Sequence, residues 1–182
     1  MRKLKLAMYV SLDGVVENPV WTGPFWNDEL SDLQADYLYA SDALLLGRVT
    51  YEGFAASWPQ MEESTGEFGK KMNTMPKFVA STTLREAEWN ASIIQGDLAE
   101  EVTKLKQQPG GDLLIYGSGE LVDALTRLGL IDEYRFMLYP VLVGAGKRLF
   151  TQSTETTLRL TDTTTTSTGV VVLTYAKVTN AA

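Results

Sequence analysis

Short apolar runs alternate with amphipathic stretches along the chain as far as Gly129. Runs with little polar alternation, such as Leu4–Val10 and Ala43–Leu46, are typical of strands buried on both faces. Between the runs, apolar residues recur at helical spacing, as they do from Leu98 to Leu105. Strands are predicted over residues 4–10, 43–46, 77–81, 92–95 and 113–116, and helices over residues 25–40, from 47 onward, 98–107 and 121–128.

After Ile131 the pattern changes to strands alone, which are predicted over residues 134–143, 156–162 and 170–178. The threonine-rich segment 161–168 is interpreted as a strand end and a hairpin connection. Together the patterns predict an α/β fold with a mostly parallel central sheet, covering helices and antiparallel C-terminal strands. Because the chain shows no linker composition and no internal repeat, residues 1–182 are predicted to form a single domain.

The composition limits the chemistry available to this domain. Of its 182 residues 45% are hydrophobic, and 16 Lys and Arg against 23 Asp and Glu give a net charge of -7. This charge argues against nucleic acid and membranes as partners. The chain has no His and no Cys, which excludes thiol nucleophiles, Ser-His-Asp triads and zinc sites built from those ligands, and no metal site is predicted. Without cysteines or an apolar stretch of about 20 residues, a cytoplasmic protein is expected.

Two strand-to-helix junctions carry residues that suit an anionic ligand. In the first, Gly47 is followed by Arg48, Val49 and Thr50. The glycine allows close approach of a ligand to the backbone, the arginine provides a guanidinium group and the threonine a hydroxyl. The second junction is Gly117–Glu120. In open α/β sheets such junctions lie beyond the carboxyl ends of the strands, where helix N-termini bind phosphates. Neither is a Walker loop or a complete Rossmann fingerprint, and the alternative for each is a plain turn, with Arg48 solvated.

Several short motifs, taken together in their order and spacing, carry a resemblance to a known family. They are Ser11–Gly14, Leu46–Glu52, Lys77–Ser81, Ile115–Leu121, and Asp132–Glu133 running into Pro140–Phe150. Over nearly its whole length the chain resembles the dihydrofolate-reductase-like superfamily, most closely the branch containing the C-terminal reductase domain of the riboflavin-biosynthesis protein RibD. The resemblance implies a three-layer α/β/α sandwich, NADPH as cofactor and a homodimer.

The resemblance also implies which residues contact NADPH. Carried over by position, the residues expected near the cofactor phosphates are Gly47, Arg48, Val49 and Thr50. Those expected near the adenosine ribose and its 2′-phosphate are Ser81 and Thr82. Those expected to bracket the pyrophosphate and the nicotinamide side are Gly117, Ser118, Gly119, Glu120 and Leu121. Many dihydrofolate reductases have an Arg after the glycines of the second junction where this chain has Glu120, so preference for NADPH over NADH depends mainly on Arg48.

On the substrate side, a chain without His must use a carboxyl, a Tyr, a Lys or water at the reacting atom. Asp13 is the candidate catalytic and substrate-binding group, and a turn-forming role is its alternative. Trp26 and Asp28 are further substrate-binding candidates. The aromatic residues Trp21, Phe25 and Trp26 form either a wall for a flat heterocycle or a hydrophobic staple that docks the following helix.

Other charged residues have a functional and a plain interpretation. Glu17 is a substrate-side acid or a solvated loop residue, and Asp28 is a substrate ligand or an acid of a helical first turn. Lys147 and Arg148 follow two glycines at a strand end. They either reach a substrate phosphate or a neighbouring subunit, or they belong to a solvated hairpin.

These observations predict an NADPH-dependent reductase of a small heterocyclic substrate. The reaction best attested for the resembling branch is reduction of 5-amino-6-(5-phosphoribosylamino)uracil in riboflavin biosynthesis. The alternatives are a dihydrofolate or pterin reductase and a nucleotide-binding dimeric module without turnover.

Overall fold

A central sheet of eight strands carries five α-helices and one 3-10 helix in the computed structural model, which describes residues 1–151 and 155–178. In chain order the elements are β1 (Leu4–Ser11), the 3-10 helix (Pro19–Phe25), α1 (Asp28–Tyr39), β2 (Ser41–Gly47), α2 (Arg48–Thr65), α3 (Glu67–Thr74), β3 (Lys77–Ala80), β4 (Ala91–Ile93), α4 (Leu98–Gln107), β5 (Asp112–Tyr116), α5 (Gly119–Arg127), β6 (Glu133–Tyr139), β7 (Leu158–Thr165) and β8 (Val171–Lys177). The strand order is β4-β3-β2-β5-β1-β6-β8-β7. Neighbours from β4 to β6 are parallel, whereas β8 is antiparallel to β6 and β7.

The central strands are buried on both faces because their apolar residues are continuous. In β2, Leu44 and Leu46 pack in the layer of α1, α2 and α3, whereas Leu45 packs on the opposite face with α4 and α5. The sheet therefore lies between two helical layers. This arrangement confirms the α/β sandwich with a mostly parallel sheet and antiparallel C-terminal strands.

The first helix begins later than the apolar spacing predicts. The pattern favours a helix from Phe25, but α1 begins at Asp28 and a 3-10 helix precedes it. Pro24, inside the 3-10 helix, has no backbone N–H to donate. The Asn27 side chain then caps α1 by accepting the Leu30 N–H at 3.0 Å, which fixes the start of the helix.

Other element boundaries also differ from the sequence pattern. The helical segment after β2 divides at Gly66, whose φ of 59° and ψ of -134° are not helical, so α2 and α3 are separate helices. β6 ends at Tyr139 rather than at Val143, because Pro140 has no N–H for the ladder. β7 continues to Thr165, so it takes up more of the threonine run than predicted.

The carboxyl ends of β1, β2, β3 and β5 meet at one edge of the sheet, as parallel pairing requires. The loop after β6 folds back over the loop after β1. An antiparallel bridge joins Val15 to Arg148, and the Val16 N–H donates to the Lys147 carbonyl at 2.9 Å. Across residues 1–151 and 155–178, no helix combines the length and the apolar character needed to cross a bilayer.

Candidate active site

A cavity of about 1700 Å³ opens at the edge where β1, β2, β3 and β5 end. Residues of α1, α2 and α3 line it on one face of the sheet, and residues of α5 line it on the other. The residues predicted to bind the cofactor all line this cavity: Gly47, Arg48, Val49, Thr50, Ser81, Thr82, Gly117, Ser118, Gly119, Glu120 and Leu121. The strand ends thus bring together segments that are far apart in sequence.

One serine hydroxyl joins the two strand-to-helix junctions. Ser118 Oγ accepts the Gly47 N–H at 3.0 Å and donates to Thr50 Oγ1 at 2.6 Å. A side chain cannot replace the glycine, because a Cβ at position 47 would lie 2.6 Å from Ser118 Oγ. Gly117 and Ser118 have φ angles of 64° and 63°, and the left-handed region is strained for a serine. Close backbone approach and strain therefore coincide at this edge.

The helices that begin at these junctions lack side-chain caps. Gly47 and Ser118 occupy the N-cap positions of α2 and α5, and neither caps its helix through a side chain. By contrast, the side chains of Asn27 and Asp97 cap α1 and α4. The first N–H groups of α2 and α5 thus remain available, and together with the helix dipole they favour anions such as phosphate.

The turn after β3 adds hydroxyl groups to the cavity wall. Ser81 Oγ accepts the Thr83 and Leu84 N–H groups at 3.2 and 2.9 Å, so this hydroxyl shapes the turn. Thr82 is exposed and also lines the cavity. A ligand at this position would therefore meet the side chain of Thr82 on a turn held by Ser81.

Cationic side chains line the cavity at the first junction, the end of α5 and the loop after β6: Arg48, Arg127, Lys147 and Arg148. An Arg48 Nη lies 2.9 Å from Glu52, and Lys147 Nζ lies 3.2 Å from Glu120. Exposed ion pairs of this kind are weak, so a phosphate can displace the carboxylates. In the described part of the chain, no group of three or more Asp or Glu side chains is arranged to hold a metal ion.

Asp13 lies in the turn after β1 and does not line the cavity. Its carboxylate accepts the Ser11 hydroxyl at 2.6 Å and the N–H groups of Val143 and Gly144 at 3.1 and 2.7 Å. These bonds, with that of Ser11 foremost, lower the pKa of Asp13 to about 2. The guanidinium of Arg148 lies 3.7 Å from the same carboxylate. The contacts of Asp13 are those of the turn-forming alternative, and they position the loop after β6.

The first helix supplies polar residues that the sequence patterns did not single out. Asp32 and Gln34 line the cavity, whereas Asp28 does not. Asp32 is exposed, and Gln34 is buried with its Nε2 donating to Tyr9 Oη at 2.6 Å. One signal could have found Gln34, because it stands four residues after Leu30 on the buried stripe of α1, where a polar side chain needs a partner.

Tyr9 and Tyr116 form what we call the polar floor of the cavity. Ala7 pairs with Tyr116 across β1 and β5, and Tyr9 follows on the same face of β1. Because Gln34 donates to Tyr9 Oη, the phenol proton of Tyr9 remains available to a ligand. Tyr116 Oη is buried and has no partner among the described residues. Burial raises the pKa of Tyr9 to about 12 and that of Tyr116 still further, so both stay protonated at neutral pH.

The aromatic residues before α1 divide between the two interpretations given to them. Trp26 lines the cavity, contacts the Tyr9 ring edge-on at 6.3 Å and donates from Nε1 to Ser31 Oγ at 3.0 Å. Trp21 and Phe25 instead pack edge-on against Tyr139, at 5.5 and 5.9 Å. Trp26 thus belongs to the cavity wall, while the other two dock the loop on the sheet.

The family model described as the RibD C-terminal domain matches residues 2–172 of the chain. The chain belongs to the RibD C-terminal domain family. The chain is 32% identical over 177 residues to the uncharacterized protein YyaP of Bacillus subtilis. The match covers 96% of this chain and 94% of YyaP. The match to the family includes both junctions, the end of β3 and the polar floor.

Solved structures share the fold of this RibD C-terminal domain. A proposed riboflavin biosynthesis protein from Shewanella sp. PV-4 has a TM-score of 0.80 at 20% identity, covering 97% of this chain and 99% of its own. Dihydrofolate reductase from Enterococcus faecalis, complexed with NADP(H), has a TM-score of 0.66 at 14% identity and covers 96% of each chain. The dihydrofolate-reductase-like fold expected from the sequence is therefore confirmed.

Proposed function

We propose that this RibD C-terminal domain is an NADPH-dependent reductase of a small heterocyclic substrate. The observation that carries the proposal is the pair of uncapped helix starts at Gly47 and Ser118, which open with Arg48 into one cavity. The cavity of about 1700 Å³ exceeds the roughly 300–1,000 Å³ that suits one drug-sized ligand. It therefore has room for a dinucleotide beside a substrate. The names of the Shewanella protein and of the NADP(H)-bound enterococcal enzyme support the same proposal.

The residues at the sheet edge fit a dinucleotide. The free N–H groups at the starts of α2 and α5 would hold the pyrophosphate, and Gly47 leaves space for close approach. Arg48 and Thr82 would bind the 2′-phosphate of the adenosine ribose. Val49, 70% exposed at the cavity, offers apolar surface to the cofactor. When bound, NADPH supplies a hydride to an electrophilic carbon of the substrate.

The proton that accompanies reduction comes from this chain or from water. Tyr9 donates its phenol proton to the nitrogen or oxygen beside the carbon being reduced, because Gln34 already satisfies one lone pair of its oxygen. Asp32, which lines the cavity from α1, accepts hydrogen bonds from N–H groups of the heterocycle and orients it. In the proposal Tyr9 and Asp32 thus take the roles for which Asp13 and Asp28 were candidates. The homodimer implied by the resemblance belongs to the same proposal.

A titration of the purified protein with NADPH and NADH tests this function. Trp26 and Trp58 line the cavity, so tryptophan emission should fall as energy transfers to a bound nicotinamide. We expect micromolar binding of NADPH, weaker binding of NADH, and loss of nicotinamide absorbance when a suitable pyrimidine, pterin or quinone is added. If neither nucleotide binds, the enzyme proposal is wrong; tight NADPH binding without turnover of any substrate would favour the non-catalytic module.

The role of Arg48 gives a prediction about cofactor preference. Loss of a charge-assisted bond to a phosphate costs about 1.5–3 kcal/mol, so Arg48→Ala should weaken NADPH binding roughly 10- to 100-fold and NADH binding much less. Lys104→Ala is the matched control, because Lys104 is an exposed cation on α4, paired with Glu101 and outside the cavity lining. Equal losses for both cofactors in Arg48→Ala would remove the 2′-phosphate role.

A further inference from the structure

Tyr116 is a buried phenol to which the proposed function gives no role. It ends β5 directly before Gly117 and lines the cavity, and its ring centroid lies 6.4 Å from that of Phe54. Its hydroxyl is buried and has no hydrogen-bond partner in the part of the chain that the structure describes. Burial of a hydroxyl without a partner costs free energy. A polar ligand atom in the cavity would remove this cost.

Tyr116 belongs to a row of residues that crosses β5, β1 and β6. Ala7 of β1 is in register with Tyr116 of β5 on one side and with Arg135 of β6 on the other. Residues in register on neighbouring strands point to the same face of a sheet, which here is the face covered by α1. Ala7 also lines the cavity. Tyr116 and Arg135 thus flank the shortest side chain of the row.

Tyr9 places a second phenol next to this row. It follows Ala7 by two residues on β1, so its side chain points to the same face, and it lines the same cavity. Gln34 Nε2 donates to Tyr9 Oη at 2.6 Å, which leaves the phenol proton of Tyr9 for a ligand. Burial raises the pKa of Tyr116, and negative charge on Tyr9 raises it further. The two phenols therefore lie within reach of each other's charge.

Arg135 supplies positive charge behind the two phenols. Its guanidinium carbon lies 3.3 Å from the centroid of the Tyr37 ring, and an Nη donates to the Leu33 carbonyl at 2.8 Å. Arg135 does not line the cavity. Burial is the main influence on the pKa of Tyr116, and the charge of Arg135 acts against it by favouring the phenolate. The same charge favours negative charge on a ligand oxygen bound to Tyr116.

The number of donors indicates which kind of acceptor fits the polar floor. A carbonyl oxygen has two lone pairs and accepts two hydrogen bonds, whereas a ring imine nitrogen has one lone pair. Tyr9 and Tyr116 offer two protons, and both phenols stay protonated at neutral pH because burial raises both pKa values. A C=N group would use one donor and leave the other buried without a partner. The polar floor thus fits a C=O group.

We infer that the group reduced in the substrate is a carbonyl of the heterocycle, and that Tyr116 is a second catalytic residue beside Tyr9. The carbonyl oxygen accepts both phenol O–H groups. The carbonyl carbon takes the hydride from the C–H bond of the dihydronicotinamide, and the electron pair of the C=O π bond moves to the oxygen. Tyr9 transfers its proton to that oxygen, which gives an alcohol and NADP⁺, and water returns a proton to Tyr9. This inference names the substrate class of the same site and rests on the proposed function.

Two flat substrates with different reducible groups test the inference. Isatin carries a ketone beside a lactam, whereas quinoxalin-2-one carries a C=N bond beside a lactam. Each is added to the full chain with NADPH, and the loss of nicotinamide absorbance gives kcat and KM. Tyr116→Phe should lower kcat for isatin about 100-fold, as expected for loss of one donor to a developing oxyanion, and change kcat for quinoxalin-2-one less than about twofold. An equal effect on both substrates, or no effect on isatin, would contradict the inference.

Tyr139→Phe is the matched control. The hydroxyl of Tyr139 is likewise buried without a partner among the described residues, and the ring lies on the same face of the sheet, but Tyr139 does not line the cavity. Either substitution keeps the packed ring, so neither should lower the thermal stability of the protein. A similar loss of isatin reduction in both variants would assign the effect to packing and overturn the inference.

Binding of an oxyanion tests the two donors without turnover. The visible absorbance of 4-nitrophenolate shifts when its phenolate oxygen accepts hydrogen bonds. We expect Tyr9→Phe and Tyr116→Phe each to weaken its binding about 10-fold, and Tyr139→Phe to leave it unchanged. The exposed carboxylate of Asp32 repels the probe equally in the wild type and in these variants. If the wild type does not bind the probe, or if Tyr116→Phe binds it as well as the wild type, the inference is wrong.

Cofactor titration keeps this inference separate from the proposed function. If quinoxalin-2-one oxidises NADPH and isatin does not, the inference fails and the reductase assignment stands. If no nicotinamide nucleotide binds, the enzyme proposal fails. The nitrophenolate titration then decides whether the polar floor binds one oxygen through two phenols.

Discussion

In the proposed reductase, a chain without histidine, the proton chemistry of the cavity is assigned to a phenol and a carboxylate. Gln34 makes this possible at the residue scale, because its bond to Tyr9 Oη fixes the ring and leaves the phenol proton unused. Burial raises the pKa of Tyr9 to about 12, so Tyr9 remains a donor over the whole physiological range. Asp32 is exposed at the same cavity and supplies an acceptor.

The phenol proton gives a prediction at the residue scale. Tyr9→Phe keeps the ring contact with Trp26 but removes the donor, so kcat should fall by about 100-fold with little change in KM. The control is Tyr39→Phe, since Tyr39 is exposed at the end of α1 and does not line the cavity. Steady-state kinetics with NADPH and an accepted heterocycle measures both. A Tyr9→Phe enzyme with unchanged kcat would assign the proton to water.

Sequence patterns predicted which residues line the cavity better at strand ends than on the first helix. Gly47 and Gly117 mark strand ends, and a parallel sheet must bring such ends to one edge. Asp32, Gln34 and Tyr9 reach the same cavity only through the packing of α1 on β1, which short motifs do not encode. Asp13 shows the converse, because Asp-Gly indicates a turn and the structure uses that carboxylate to hold a loop.

At the scale of elements, turns and proline positions account for the differences between prediction and structure. Apolar spacing gave the helices and buried strands, whereas their ends depend on single residues. α1 begins only at Asp28 because Asn27 caps it, Gly66 separates α2 from α3, and β6 ends before Pro140. The loops that follow β1 and β6 then pair with each other, and the Asp13 carboxylate accepts two backbone N–H groups across the pair.

The two paired loops give a prediction at this scale. Asp13→Asn weakens the bonds to Val143 and Gly144, so amide exchange over residues 141–149 should become faster and thermal stability should fall slightly at pH 7. The folded state lowers the pKa of Asp13 from 3.8 to about 2. The carboxylate therefore stabilises the fold above about pH 4, and this contribution is lost as the pH falls through 2.

Exchange mass spectrometry and thermal unfolding at several pH values measure these effects. The control is Asp36→Asn, since Asp36 is an exposed acid of α1 far from this loop pair in sequence. A stability difference between Asp13→Asn and the wild type that stays constant down to pH 2 would contradict the role of the carboxylate charge.

At the scale of the whole molecule, a buried lysine links stability to pH. Lys77 of β3 is 1% exposed; its Nζ donates to the Asn73 carbonyl at 2.9 Å and lies 4.0 Å from the Trp89 ring centroid. No carboxylate of the described chain forms an ion pair with it. Desolvation lowers the pKa of Lys77 to about 8. Below that pH the fold carries the cost of a buried charge.

The corresponding prediction concerns the alkaline range. Between about pH 8 and 10.5 the unfolded chain keeps the Lys77 proton while the folded protein releases it, so this group makes the free energy of unfolding rise with pH. Lys77→Met removes the effect. The wild type should therefore gain up to about 1.4 kcal/mol per pH unit relative to the variant. Denaturant unfolding of both proteins from pH 7 to 10 measures the difference, and parallel curves would contradict a lowered pKa.

The Ser118 hydroxyl joins helix starts that belong to different layers of the sandwich, α2 on one face of the sheet and α5 on the other. A ligand bound at these two starts contacts both layers at once, and neither layer binds it fully when the other has opened. Its binding free energy therefore adds to the cooperativity of the entire domain. At a ligand concentration of about 100 times Kd, mass action raises the free energy of unfolding by about 2.7 kcal/mol. For the proposed nicotinamide cofactor, the nucleotide concentration would then change the free energy of unfolding of the domain as well as the rate of the reaction.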